Sequence, residues 1–104
     1  MFALQGRCSS LSDLLSLRTS LRQQEFMLQA ALSDVQKELR SWARHRQSHE
    51  SRGDRVPREL CIVWDELGER ERELAMDVIQ VRAALRETIL EIQQRIKQPR
   101  GAAG

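Results

Sequence analysis

The chain has 104 residues and a formal charge of +2, and 31% of its residues are charged. That length suits one small domain with a narrow core, and so small a net charge gives no reason to require nucleic acid or acidic lipid as a partner. Two Trp and two Phe are its only aromatic residues, and Gly and Pro are absent between Leu11 and Ser51. Because sheets and loop-rich folds need those residues, the composition predicts an all-α protein.

The first predicted helix covers residues 11–47. Residues 1–9 show no hydrophobic period, and we interpret them as a flexible leader. Ser10 can cap the helix, with Asp13 near the positive end of the helix dipole. Apolar residues then recur at intervals that make one helix face apolar. They are Leu11, Leu14, Leu21, Leu28, Leu32, Val35, Leu39 and Trp42, interrupted by Arg18 and Glu25.

A hinge and a second helix follow. Residues 48–56 lose the period and contain turn formers, and Pro57 is well tolerated at the first position of a helix. The second helix is predicted over residues 57–98, and residues 99–104 are predicted to be a disordered tail. Its apolar face contains Leu60, Trp64, Leu67, Leu74, Val78, Val81, Leu85 and Ile92, interrupted by Glu71 and Thr88. We call the two apolar faces together the seam.

The short hinge predicts that the two helices are antiparallel neighbours. If the chain folds back at Gly53, residue i faces residue 106 − i, and the two halves of the seam meet along their length. Trp42 then faces Trp64. The prediction is an antiparallel coiled-coil hairpin over residues 10–98, tighter in the half nearest the hinge. A parallel dimer of continuous or bent helices is the rival arrangement.

The second helix also carries an apolar stripe on its opposite side, which we call the α2 stripe: Met76, Ile79, Ala83 and Leu90. The first helix adds Leu15, Leu17, Phe26 and Met27 outside the seam. One hairpin cannot cover two opposite faces, and exposing these side chains forgoes several kcal/mol at about 25 cal/mol per Å². We therefore expect a multi-helix bundle or oligomer, formed with a second copy or with helices of another protein. The predicted partner-binding residues are Met76, Ile79, Ala83, Ile89, Leu90 and Ile96.

Arginines cluster around the hinge and form what we call the basic tip: Arg40, Arg44, Arg46, Arg52, Arg55 and Arg58. Residues 40–58 carry a charge of +4, whereas residues 59–91 carry −5. The basic tip can either keep the protein soluble or bind an anionic membrane surface or nucleic acid. Base readout is not expected, since no aromatic residue outside the seam is interleaved with these arginines.

Catalytic and metal-binding patterns are missing from the sequence. His45 and His49 lie four residues apart, but no cysteine is spaced to complete a metal site with them, and neither an HExxH motif nor paired CxxC motifs occur. Phosphate-binding glycine loops and activated nucleophiles are absent as well. We predict no enzyme activity, no cofactor and no metal.

Two cysteines and one glycine complete the predictions. Cys8 and Cys61 are too far apart in the hairpin for a disulfide, which favours a reducing compartment. Without a signal peptide or a membrane span, a cytoplasmic location is expected, and a nuclear one remains open. Cys61 is predicted to fill space beside the seam. Gly68, in mid-helix, either allows close approach of another helix or is simply tolerated.

The predicted function is a coiled-coil interaction or scaffold subunit.

Overall fold

The computed structural model describes residues 10–97, and over that range it contains two α-helices and no strand. Helix α1 spans Leu11–Ser51 and helix α2 spans Arg58–Lys97. The two helices pack against each other as a helical hairpin. The predicted all-α hairpin is therefore confirmed. The predicted leader at 1–9, the tail at 99–104 and Gln98 lie outside the described residues.

Helix α1 begins with a reciprocal cap. The Ser10 hydroxyl oxygen accepts a hydrogen bond from the Asp13 N–H at 3.1 Å, and the Ser10 N–H donates to Asp13 Oδ2 at 3.3 Å. Two backbone donors that the first turn leaves without helical partners are satisfied in this way. The helix start follows directly from this local sequence.

Helix α1 runs four residues beyond the predicted end at residue 47 and finishes in a glycine-dependent turn. The Asp54 N–H donates to the His49 carbonyl at 2.9 Å, and the Gly53 N–H donates to the Glu50 carbonyl at 3.1 Å. Gly53 has φ of 76°, the left-handed conformation that this helix-ending motif requires. The bonds to His49 and Glu50 hold the last turn of α1 in helical form and shorten the hinge.

Helix α2 begins one residue after Pro57. The Pro57 carbonyl accepts hydrogen bonds from the N–H groups of Leu60 at 3.1 Å and Cys61 at 3.4 Å. Proline has no N–H to leave unpaired and its fixed φ suits a helix entrance. This position of the proline explains why the new helix starts here.

The first of two compact units, which we call the terminal unit, combines residues 10–26 with residues 79–97. Its buried core consists of Leu14, Leu21, Thr88 and Ile92. The buried Thr88 hydroxyl donates to the Ala84 carbonyl at 2.8 Å, so this seam hydroxyl is satisfied within its own helix.

The second unit, the hinge unit, comprises residues 27–78. Val35, Leu74 and Val78 are its buried residues. Closer to the hinge every seam residue is only half-buried; these are Leu39, Trp42, Leu60, Trp64 and Leu67. The seam residues nearest the hinge are therefore less buried than Val35, Leu74 and Val78 of the same unit, and the expectation that the hinge half is tighter stays a prediction.

One polar contact in each unit reports the antiparallel pairing of the helices. Arg82 Nε donates to Glu25 Oε2 at 2.7 Å in the terminal unit, and Gln36 Nε2 donates to Glu71 Oε2 at 3.3 Å in the hinge unit. In both pairs the residue numbers sum to 107, one residue from the predicted pairing. The polar interruptions Glu25 and Glu71 are thus accommodated by partners from the opposite helix.

Candidate functional site

The α2 stripe lies largely in solvent. Met76 of the hinge unit is 54% exposed, and Ile79 and Leu90 of the terminal unit are 59% and 51% exposed. Ala83 is exposed as well. Large apolar side chains that repeat at helical spacing and stay outside the core mark an interaction surface more often than scattered single residues do.

The two other predicted partner-binding residues differ from each other. Ile96 is 66% exposed, whereas Ile89 is half-buried. Ile89 therefore supports the core of the terminal unit more than it offers free surface. On α1 the apolar residues outside the seam are exposed: Leu15, Leu17, Phe26 and Met27.

All six arginines of the basic tip are exposed. Arg46 pairs with Glu50 at 3.5 Å, and Arg52 pairs with Asp54 at 3.2 Å. For the other four, no ion pair forms with any of residues 10–97. Exposed pairs of this kind contribute little to stability, and four of the six arginines of the tip form no ion pair with residues 10–97.

An open groove of about 570 Å³ runs along the hinge unit between the two helices. Helix α1 supplies Gln36, Leu39, Arg40 and Ala43, and helix α2 supplies Trp64, Gly68, Glu71 and Arg72. The small residues Ala43 and Gly68 leave this space open. Leu39 and Trp64, which line the same groove, are half-buried.

The charged groups of the groove are only partly neutralised. Glu71 accepts a hydrogen bond from the Gln36 amide. Arg40 and Arg72 are exposed, and neither forms an ion pair within the described part of the chain. Two guanidinium groups with free donors therefore border the groove, a geometry suited to carboxylates.

Cys61 does not fill space in the core. The structure shows this thiol exposed, which corrects the prediction that it is buried beside Trp64. The residue directly after a seam position points about 100° away from the seam, and Cys61 follows Leu60. Cys8, the other cysteine, lies outside the described residues.

The histidines of α1 do not converge with other ligands. The rings of Trp42 and His45 lie 5.7 Å apart in a tilted arrangement. His49 is half-buried and its carbonyl serves the turn at the end of α1. Among residues 10–97, no group of three or more metal-ligating side chains comes together.

The sequence predicts the α2 stripe and the basic tip, and the structure shows their residues exposed, but the groove was not predicted. Gly68 was the one residue that indicated the groove, because a glycine in the middle of a long helix lowers the stability of that helix. The second determinant, Ala43, lies on the other helix, and only the register of the hairpin brings the two small residues to one groove.

Neither helix of residues 10–97 is apolar over enough of its length to cross a membrane. Comparison with protein-family models, with curated proteins and with solved structures finds no match for the chain.

Proposed function

We propose that this chain is a non-enzymatic coiled-coil subunit of an intracellular assembly, and that it associates with helices of a second copy or of another protein. The observation that carries the proposal is the exposure of Met76, Ile79 and Leu90, each more than half in solvent on a helix whose other face packs in the hairpin.

The energetics favour association. Covering these three side chains removes apolar area from water, which contributes several kcal/mol at about 25 cal/mol per Å². Phe26 and Met27 of α1 are also mostly exposed. Because the hairpin leaves apolar side chains on both of its helices, a helical partner gains contacts that the single chain lacks.

Replacing one residue of the α2 stripe tests the proposal. We expect Ile79→Asp to abolish association, measured as the mass of the native assembly by light scattering and as recovery of partner helices from cells. A charge at this exposed position destabilises an interface that buries it, but it does not enter the hairpin core. Helicity measured by circular dichroism should therefore stay unchanged.

Gln80→Asp is the matched control. It adds the same charge one residue away at another exposed position, and it should leave association intact. The proposal is wrong if Ile79→Asp and Gln80→Asp behave alike, or if the wild-type chain stays monomeric at tens of micromolar and recovers no helical partner.

A second candidate function is binding of an anionic surface through the basic tip. Four exposed arginines without ion pairs among the described residues favour it: Arg40, Arg44, Arg55 and Arg58. Such binding would weaken steeply with salt.

Charge reversal separates the two functions. Arg44→Glu combined with Arg55→Glu should eliminate binding to anionic vesicles or to a nucleic acid duplex and leave the native mass unchanged. Ile79→Asp should have the opposite pattern. Binding that is insensitive to salt and to both arginine changes would reject the second candidate.

A further inference from the structure

Gly68 is not required by the hairpin itself. Its backbone is not in the left-handed region, since Gly53 is the glycine with positive φ among the described residues. A Cβ built at Gly68 would meet only Arg72 Nη1, at 3.8 Å, which is an ordinary contact with a flexible side chain. Alanine would fit here and would favour the helix. What the glycine does is leave bare backbone on the wall of the groove.

An acidic and a basic residue flank Gly68 along α2. Asp65 precedes it by three residues and Arg72 follows it by four, so all three lie on one face of the helix. Asp65 is exposed and forms no ion pair with residues 10–97, as is also the case for Arg72. This face therefore has an acid on one side of the glycine and a base on the other.

We propose that the groove receives helix α2 of a second copy of this chain, forming a two-fold dimer whose two α2 helices run antiparallel and cross at Gly68. This inference rests on the proposed function and names the partner. With the two-fold axis between Gly68 and Glu69, Asp65 of each copy lies level with Arg72 of the other, and the two glycines are offset by one residue, about 1.5 Å along the helix. Without side chains at the crossing, the helices can approach closely.

The charge pattern favours a second copy over an unrelated acidic helix. An isologous interface must be self-complementary, so that residue i contacts residue j and residue j contacts residue i. Asp65 and Arg72 meet this requirement on one helix in an antiparallel crossing. Electrostatic complementarity of this kind fixes the register and direction of two helices.

Complementary charge changes test the dimer. In a dimer of two Asp65→Arg chains, the new arginine of each chain meets Arg72 of the other. In a dimer of two Arg72→Asp chains, the new aspartate of each chain meets Asp65 of the other. Each variant alone should dimerise less tightly by roughly tenfold or more. An equimolar mixture should regain the wild-type affinity as a 1:1 dimer of the two variants, because every pair is again opposite in charge.

The readout is native mass by sedimentation, against a chain of 12.1 kDa, with one variant carrying a mass tag. Glu66→Arg and Arg70→Asp are the matched controls, since they make the same charge changes at exposed positions on the other side of α2, and both should dimerise like the wild type.

Three results would overturn the dimer: a monomeric wild type at tens of micromolar, single variants that dimerise normally, or a mixture that fails to recover. Association that Ile79→Asp abolishes but the charge changes leave intact would reject this groove interface and keep the proposed function. Loss of the proposed function is judged separately, on Ile79→Asp and partner recovery.

Discussion

Arg18 lies at a seam position of α1, where a heptad pattern calls for an apolar residue. Its Nε atom is buried and has no hydrogen-bond partner among the described residues. A buried donor without a partner costs free energy, whereas the aliphatic stem of arginine packs favourably. The residue therefore combines a useful stem with an unsatisfied polar atom.

We expect Arg18→Met to raise the free energy of unfolding by about 1 kcal/mol, because methionine keeps the stem and removes the unsatisfied donor. Urea denaturation followed by circular dichroism measures the change. Arg22→Met, at an exposed position one turn further on, is the control and should shift stability by less than about 0.5 kcal/mol. A destabilised Arg18→Met would mean that the guanidinium contributes an interaction that outweighs its burial.

Single residues also show where sequence patterns lose accuracy. The cap at Ser10 and Asp13 depends on residues three apart, and the sequence alone predicts it. The exposure of Cys61 depends on which way one side chain points at the edge of the seam, and a heptad pattern leaves such edge positions ambiguous.

At the scale of the helices, replacing each of two glycines with alanine is expected to change the free energy of unfolding in opposite directions. Gly53→Ala should lower the free energy of unfolding by about 1 kcal/mol or more, since its φ of 76° is strained for any residue with a Cβ. Gly68→Ala should raise it by about 1 kcal/mol, because the helix gains propensity and the added methyl meets only Arg72 at 3.8 Å.

Thermal unfolding at low protein concentration, where chains are monomeric, measures both glycine variants. A change of 1 kcal/mol corresponds to roughly 4–8 °C in Tm for a chain of this size. Gly68→Ala should at the same time weaken dimerisation, because the methyl group separates the two α2 helices. A variant that is more stable yet dimerises as tightly as wild type would contradict the crossing at Gly68.

The helices themselves could be predicted well, because each depends on local signals. The seam runs through both helices, and Gly53 and Pro57 bracket the hinge. The extension of α1 to Ser51 was missed because it depends on backbone bonds to the carbonyls of His49 and Glu50, which no side-chain period encodes. The groove was missed because it needs Ala43 and Gly68 from two helices.

At the scale of the whole molecule, the charge pattern links the hairpin to its proposed dimer. Residues 40–58 are basic and residues 59–91 are acidic, so charge is segregated along the chain. Asp65 of α2 forms no ion pair within residues 10–97, and Arg72 of a second copy can meet it in the proposed dimer. Closure of the hairpin within one chain and association of two chains are then separate steps. The seam residues are responsible for the first step, and Asp65 and Arg72 for the second.

Cross-linking distinguishes these two steps. In a chain with Cys8→Ser and Cys61→Ser, we expect Leu39→Cys and Leu67→Cys to react together with a short thiol cross-linker. The predicted pairing places these two positions opposite each other, and the observed interhelical contacts of the hinge unit differ from it by one residue. Denaturing electrophoresis should then show a cross-linked single chain of 12.1 kDa, while sedimentation of the same sample under native conditions should show a dimer.

The control for the cross-link moves one cysteine by a single residue. Glu38→Cys with Leu67→Cys should cross-link less, because Glu38 is exposed and points about 100° away from Leu39. A covalent dimer on the denaturing gel would mean instead that the helices pair between chains, as in an exchanged hairpin. In that case Asp65 and Arg72 could no longer be assigned to the contact between two closed hairpins, and the mixture of charge variants would have to be interpreted as helix exchange.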